Sequence, residues 1–365
     1  MFKISIILPN LDGGGAERIA IYLANDWAAR GYVVEFVLMQ RVGNLLQMLN
    51  SSISVVDLRA TRIRNVISPL KKYLLDSRPN VVMVGMWPLT SVAVVAWLLS
   101  GRIGRLYLIE HCHLSAECDR GLHISQNYLK TCMRLTYPFA TGVIAVSNGV
   151  KNDVLNLSGI SSKKIRLIYN PAATGVVSER ASNKDREIMW GKGITYNILS
   201  VGSLKIEKNH ECLIRAFSKM PKYINAKLTI VGEGLLRKRL ESLVIDLGLR
   251  DKISLPGFYQ DVKPWYQTAD LFVLSSDVEG LPTVLIEAME HGVPVISTKT
   301  YGGGAEEILQ NGRLGLLVEV KDEQALAAAM VKGLKVTQEK QALIERAKEF
   351  SIEKISKQYL DYFKI

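Results

Sequence analysis

The sequence predicts an α/β protein of two Rossmann-like domains, each a doubly wound parallel sheet, facing each other across a cleft. Three observations lead to this. Short apolar runs of strand character alternate with amphipathic helical segments at parallel-sheet spacing, first over residues 3–168 and again over 196–298. The 365 residues, 48% hydrophobic and 22% charged, suffice for two cores and contain no low-complexity tract. Between the two patterns, residues 174–193 are polar, charged and poorly periodic, as a domain join is. The first domain is placed at residues 1–175 and the second at 176–349.

The first pattern opens with a buried strand over residues 3–9, a glycine turn at Asp12-Gly-Gly-Gly-Ala-Glu-Arg18, a helix over 19–30 ended by Gly31, and a strand over 33–39. This start reads as a strand feeding a glycine loop, and no signal peptide is expected. The glycines bring backbone amides close to a ligand at a helix N-terminus. Their spacing is not G-x-G-x-x-G, and Asp57 does not restore a dinucleotide pattern; a dehydrogenase or epimerase is the reading this loop alone leaves open. The apolar run 81–99 approaches the length of a membrane span, but Pro88, Thr90 and Ser91 divide it into a strand and a buried helix. A strand over 106–110 delivers His111 to its C-terminal end, where ligands gather in open α/β sheets. His111-Cys112-His113 with Cys118 lacks the spacing of a zinc site, so no metal is expected. Strands over 142–147 and 165–168 close the domain, with a helix between them.

The second pattern runs through a strand at 196–202, a helix at 210–218, a strand at 227–231, a helix at 235–247 and a strand at 253–255. It culminates in residues 271–298, where Glu279-Gly-Leu-Pro-Thr-Val-Leu-Ile-Glu287 joins one apolar run to a helix over 283–290. Pro282 suits the first helical position and Gly292 the C-terminal stop. Free backbone N–H groups of Gly280, Leu281, Thr283 and Val284, around Pro282, which has none, suit a diphosphate together with the positive end of the helix dipole. Glu279 precedes that place and Glu287 lies about one and a half turns beyond it, on the order of 10 Å away. That span matches a sugar, a diphosphate and a ribose in line, and carboxylates are strong acceptors for sugar hydroxyls. Glu287 sits among Val284, Leu285, Ile286, Ala288 and Met289, too apolar a setting for a solvated face. Residues 350–363 form a last amphipathic helix with Ile352, Ile355, Tyr359 and Tyr362 as its packing face.

The formal charge of +11 is uneven: residues 1–175 hold 19 Lys and Arg against 10 Asp and Glu. Arg59, Arg62, Arg64, Lys71 and Lys72 are mixed with Val66, Ile67, Leu70, Leu74 and Leu75. This mixture suits anionic lipid, an acceptor's phosphates or a solvated basic face. Without interleaved aromatics or a nucleic-acid motif, no nucleic-acid partner is expected. Four cysteines in so long a chain suggest reduced thiols and a cytoplasmic setting.

The E-x7-E stretch resembles the signature of glycosyltransferase family 4, the retaining enzymes of GT-B fold, and the likeness extends over nearly the whole chain. Gly14-Gly-Ala-Glu-Arg18 resembles the family's first-domain loop, which implies that Gly14 and Gly15 face donor and acceptor. His111 stands where a histidine touches the transferred sugar; His113 and His123 have no counterpart. Gly202-Ser-Leu-Lys-Ile-Glu-Lys-Asn-His210 resembles the phosphate-binding segment. Lys208 matches its Lys, while Ser203 replaces its Arg, and Lys205 offers a charge two residues on. Residues 231–237 and 255–262, with Phe258, resemble the base and ribose side, and Glu307 matches an acidic position of structural role. The last helix of the family returns to the first domain.

The resemblance implies transfer of a sugar, with retention, from a nucleotide diphosphate, a UDP-sugar foremost, to a glycan hydroxyl. Lys208 would stabilise the leaving phosphate, Glu279 would hold the donor sugar, His111 would sit against it and Glu287 would hold the ribose. No D-x-D occurs, so neither metal nor other cofactor is expected. The basic first domain favours a lipid-diphosphate-linked acceptor and peripheral contact with the anionic cytoplasmic face of an inner membrane, as in O-antigen, capsule or exopolysaccharide assembly. A soluble acceptor, or a nucleotide-sugar-binding protein without catalysis, is the alternative.

Overall fold

The computed structural model describes residues 2–118, 124–173, 182–335 and 339–365. His123 and the join expected at 175/176 lie outside them. Two compact units emerge, Met1–Pro171 with Ile352–Ile365, and Ala172–Ser351.

The first unit begins with β1 (Lys3–Leu8), α1 (Gly15–Ala29), β2 (Val33–Leu38), β3 (Ser54–Asp57) and α2 (Ile67–Ser77). It continues through β4 (Val81–Gly85), α3 (Leu89–Leu99), β5 (Arg105–Glu110), α4 (Leu114–Cys118), α5 (Gln126–Thr136), β6 (Gly142–Ala145), α6 (Asn148–Ser158) and β7 (Ile165–Leu167). The strands form one parallel sheet in the order β3-β2-β1-β4-β5-β6-β7. Its inner strands carry continuous apolar runs because helices cover both faces. The order turns back between β1 and β4, so the loops after those strands flank the switch point where α/β ligands bind.

Helix α1 starts at Gly15, earlier than residue 19 as the apolar period suggested. Gly14 is its N-cap, and Glu17 supplies a carboxylate to the first turn, where the helix dipole favours it. The run 81–99 is strand plus helix as expected, and no helix among the described residues is long and apolar enough to cross a membrane.

In the second unit, α7 (Asn183–Trp190) precedes β8 (Tyr196–Val201), α8 (His210–Ser218), β9 (Ala226–Val231), α9 (Arg237–Asp246) and β10 (Ile253–Gly257). Then come α10 (Lys263–Thr268), β11 (Leu271–Leu274), α11 (Thr283–Glu290), β12 (Val295–Thr298), α12 (Gly304–Ile308), β13 (Leu316–Val318), α13 (Glu323–Lys335) and α14 (Lys340–Lys348). Its parallel sheet is ordered β10-β9-β8-β11-β12-β13. Helix α7 corrects the expectation of an irregular stretch. Its weak apolar period hides a capping box, with Ser182 and Asp185 bonding each other's backbone amides, and Arg186 pairs with Asp270 at 2.6 Å.

The final helix, α15 (Ile352–Phe363), belongs to the first unit and packs on α1. Trp27 meets Tyr359 and Phe363 at ring-centroid distances of 6.1 and 5.8 Å. Of the expected packing face, Ile355 and Tyr359 are buried, while Ile352 and Tyr362 are only half-buried. Tyr362 still packs, its ring centroid 5.2 Å from that of Tyr107, and Phe363 and Leu360 complete the face.

Candidate active site

The densest set of expected site residues lies at the switch point of the second sheet. Strands β8 and β11 are neighbours, and the loops leaving their C-terminal ends carry Lys208 and Glu279. Lys208 Nζ donates to Glu279 Oε1 at 2.6 Å, and Ser276 Oγ donates to the same oxygen at 2.7 Å. Both charged side chains are largely buried, at 24% and 12% exposure, so their attraction is screened far less than at a surface. Glu279 Oε2 makes no hydrogen bond among the described residues.

From Glu279 the chain passes through the buried Gly280, Leu281 and Pro282 into α11. Pro282 is the N-cap, with ψ 96°, and not the first helical residue; its extended ψ makes the bend into the helix, and Thr283 begins the regular turn. Glu287 is half-buried and accepts from Tyr266 OH at 3.0 Å, while the Tyr266 ring stacks on His291 at a centroid distance of 5.5 Å. The glycines after β12 explain how this loop is held. A Cβ on Gly302 would lie 1.6 Å from Glu279 O, and one on Gly304 would lie 2.2 Å from Gly280 O. Only glycine lets the two loops touch backbone to backbone.

The loop after β8 holds Ser203, half-buried, and Lys205, exposed before the single 3-10 turn that ends at Lys208. Lys205 makes no side-chain hydrogen bond or ion pair among the described residues. The buried His210 ring lies under Gly202, where a Cβ would sit 3.7 Å from Nε2. Burial, and secondarily the charge of Lys208, brings the His210 pKa down to about 4, so the ring is neutral. Phe258 follows β10 and is 58% exposed; beside it Tyr259 meets Trp265 edge-on.

In the first unit, His111 follows β5 directly. Its Nδ1 is buried without a hydrogen bond among the described residues, and burial lowers its pKa to about 4 against a smaller opposing effect of Asn170. His111 shares a cavity of about 10 Å³ with Ala16, Ile19, Gly85 and Tyr359, which brings the histidine to the first turns of α1. Gly14 and Gly15 lie at that helix start. Glu17 folds back onto it, so that a Cβ on Gly14 would lie 2.3 Å from its Oε2. Beneath His111, the buried Glu110 carboxyl accepts from Tyr137 OH, which also meets Thr90 Oγ1 at 3.0 Å. Burial raises the Glu110 pKa to about 7. The His-Cys-His run disperses: Cys112 is exposed and His113 Nδ1 lies 3.6 Å from Asp153. Among the described residues no group of three or more His, Cys, Asp or Glu is gathered as a metal would require.

The basic cluster resolves into layers. Val66, Leu70 and Leu74 are buried core, leaving Arg59, Arg62, Arg64 and Lys72 outside with Leu75 as their exposed apolar neighbour. Exposed apolar side chains gather instead on α5 and the turn after it: Tyr128 (58%), Leu135 (67%) and Phe139 (48%), with Arg134 beside them.

The sequence reading missed Ser276, Tyr266 and the Asn209–Asp277 bond at 2.9 Å. Only Asn209, a turn residue directly before a helix, carried a local signal.

Residues 13–175 match the family Glycosyltransferase Family 4, and residues 188–350 match Glycosyl transferases group 1. The chain is 28% identical to a Campylobacter jejuni protein named GalNAc-alpha-(1->4)-GalNAc-alpha-(1->3)-diNAcBac-PP-undecaprenol alpha-1,4-N-acetyl-D-galactosaminyltransferase, over 99% of this chain and 98% of that one. It is 26% identical, over 95% of each chain, to the lipopolysaccharide core biosynthesis glycosyltransferase LpsE of Rhizobium meliloti. Among solved structures, HepE of Anabaena in complex with UDP superposes over 100% of both chains, with a TM-score of 0.79 at 22% identity. With one family description on each half and a fold shared along its whole length, the chain belongs to glycosyltransferase family 4 and is a glycosyltransferase of GT-B fold.

Proposed function

We propose that this enzyme transfers a sugar from a UDP-sugar, with retention of anomeric configuration, to a hydroxyl of a lipid-diphosphate-linked glycan in bacterial surface-polysaccharide assembly. The observation that carries the reading is the Lys208–Glu279 pair at the switch point, directly before the N-terminus of α11. An ammonium has three N–H donors, so a bond to Glu279 leaves Lys208 able to approach a phosphate oxygen. Glu279 in turn offers Oε2 to the donor sugar's hydroxyls. A cation next to a sugar-binding carboxylate is what departure of a sugar from a diphosphate requires, since negative charge grows on the leaving oxygen as the sugar becomes cationic.

The remaining roles follow the chemistry. The backbone N–H groups of Gly280, Leu281 and Thr283 and the dipole of α11 add to the diphosphate's cradle, and Glu287, oriented by Tyr266, accepts from the ribose. Ser203 contributes a hydroxyl where an Arg would give a planar fork, with Lys205 free to swing in from solvent. Phe258 and its neighbours border the base. In the first unit, His111 acts as a neutral ring against the transferred sugar. Gly14 and Gly15 face the donor diphosphate and the acceptor, and Glu17 must turn away before an anion approaches their amides.

The acceptor class rests on the Campylobacter relative, whose name specifies an undecaprenol-diphosphate-linked glycan, and the donor base on HepE, solved with UDP. Peripheral contact with an anionic membrane fits the basic first half and the exposed apolar residues of α5. A thermal-shift panel of UDP-, GDP-, ADP- and CDP-sugars, run without metal, tests the donor. A ligand of the native state raises the melting temperature, and a rise with UDP-sugars above the others is expected. A rise confined to another base would contradict the UDP assignment. Transfer to a synthetic polyprenyl-diphosphate glycan, with the new linkage read by NMR, tests acceptor and retention.

A further inference from the structure

The two charges of the donor site stand on separate loops, and a set of bonds beside them fixes one loop to the other. Asn209 has φ 45°, in the left-handed region that asparagine tolerates better than most residues. Its Oδ1 accepts from Cys212 N at 3.3 Å and so caps α8. Its Nδ2 donates to Oδ1 of Asp277, a residue only 4% exposed, at 2.9 Å. On either side of that bond, Asp277 N donates to Glu207 O at 2.8 Å and Ser275 Oγ donates to Lys208 O at 3.0 Å. Residues 207–209 and 275–277 are thereby joined through backbone and side chain at once.

We infer that Asn209 and Asp277 form a clasp that positions Lys208 against Glu279, and that they are positioning residues for donor binding. A Lys side chain has many rotamers, and confining it costs entropy; anchoring its backbone to the loop that bears its partner removes part of that cost before the donor arrives. Asparagine alone fills all the requirements at 209. Glycine accepts the left-handed backbone but neither caps nor clasps. Aspartate accepts the backbone and caps α8, but turns a carboxylate toward Asp277.

The inference rests on the reading of Lys208 as a diphosphate ligand, and the experiment separates the two. UDP, GDP and ADP are titrated calorimetrically into the full chain, well below the melting temperature of every variant, using wild type, Lys208→Ala, Asn209→Asp, Asp277→Asn and the double variant Asn209→Asp with Asp277→Asn. Asn209→Asp places like charges face to face and is expected to weaken the best nucleotide about tenfold, as Lys208→Ala does. Asp277→Asn keeps an acceptor for the Asn209 amide and is expected to stay within about threefold of wild type. The double variant reverses the bond, with the carboxylate now at position 209 accepting from both Cys212 N and the amide now at position 277, and is expected to recover affinity. A role in folding alone would lower the melting temperature of Asn209→Asp without changing its affinity, and that result would overturn the clasp. Failure of the double variant to recover affinity although its melting temperature recovers would overturn it too. Unchanged affinity in Lys208→Ala would overturn the reading of Lys208 and the clasp's role with it.

Discussion

The two units present their chemistry in opposite ways. Around Lys208 and Glu279 the second unit gathers full charges, each bonded to a neighbour and backed by a loop-to-loop brace. Around His111 the first unit gathers groups of little or partial charge: a histidine kept neutral by a pKa of about 4, a buried carboxyl half-protonated near its pKa of about 7, and the buried Tyr359 hydroxyl, unbonded among the described residues. On the proposed function, the difference follows from what each has to meet. A diphosphate carries fixed charge and is best met by fixed, oriented charge, whereas a sugar and its acceptor hydroxyl are neutral and are met by shape and single hydrogen bonds.

The largest expected break in this contrast is at Glu279. Glu279→Ala should lower sugar transfer by about 10²–10³, the usual cost of an electrostatic contact made in the transition state, while the protein remains folded by circular dichroism. A loss below about tenfold would remove Glu279 from the chemistry.

The protonation of the first unit's buried carboxyl is tested by pH. The Glu110 pKa is raised in the folded state, so the stability linked to its protonated form is complete below the unfolded value near 4.5 and is lost as pH rises through about 7. Glu110→Gln should therefore gain on wild type on the order of 3 kcal/mol between pH 5 and pH 8.5. Parallel denaturation midpoints for the two proteins across that range would show that Glu110 is charged throughout.

Ser203→Arg sharpens the contrast by adding charge to the second unit. It should tighten nucleoside diphosphate binding about three- to tenfold, with a steeper loss on adding salt than wild type shows. The smallest effect is expected at α5. Leu135→Asp should lower co-sedimentation with vesicles containing phosphatidylglycerol a few-fold and leave transfer to a short-chain soluble acceptor analogue unchanged.

How much of this the sequence disclosed depended on the range of the interaction. Elements marked by period and punctuation were legible: residues 210–218 fall on α8, Gly292 follows α11 with φ 65°, and Pro88 separates β4 from α3. Helix α7 was not, because its stability comes from a capping box and from Arg186 reaching Asp270, with little apolar period to show. Lys208 and Glu279 were each singled out from the sequence, but their pairing was not, since it depends on β8 and β11 lying side by side although 71 residues separate the two charges. That Gly302 and Gly304 are needed for contact with the backbone of Glu279 and Gly280 shows only once β12 sits beside β11. The basic cluster at 59–72 was read as mixed with apolar residues because position in sequence does not tell inner from outer layer.

The division of labour between the units is tested most directly by titrating UDP into wild type, Glu287→Ala and His111→Ala, and measuring transfer by each. Glu287→Ala should weaken UDP binding about tenfold, while His111→Ala should bind UDP as wild type does and lose transfer. Equal effects of the two substitutions on UDP affinity would contradict that division.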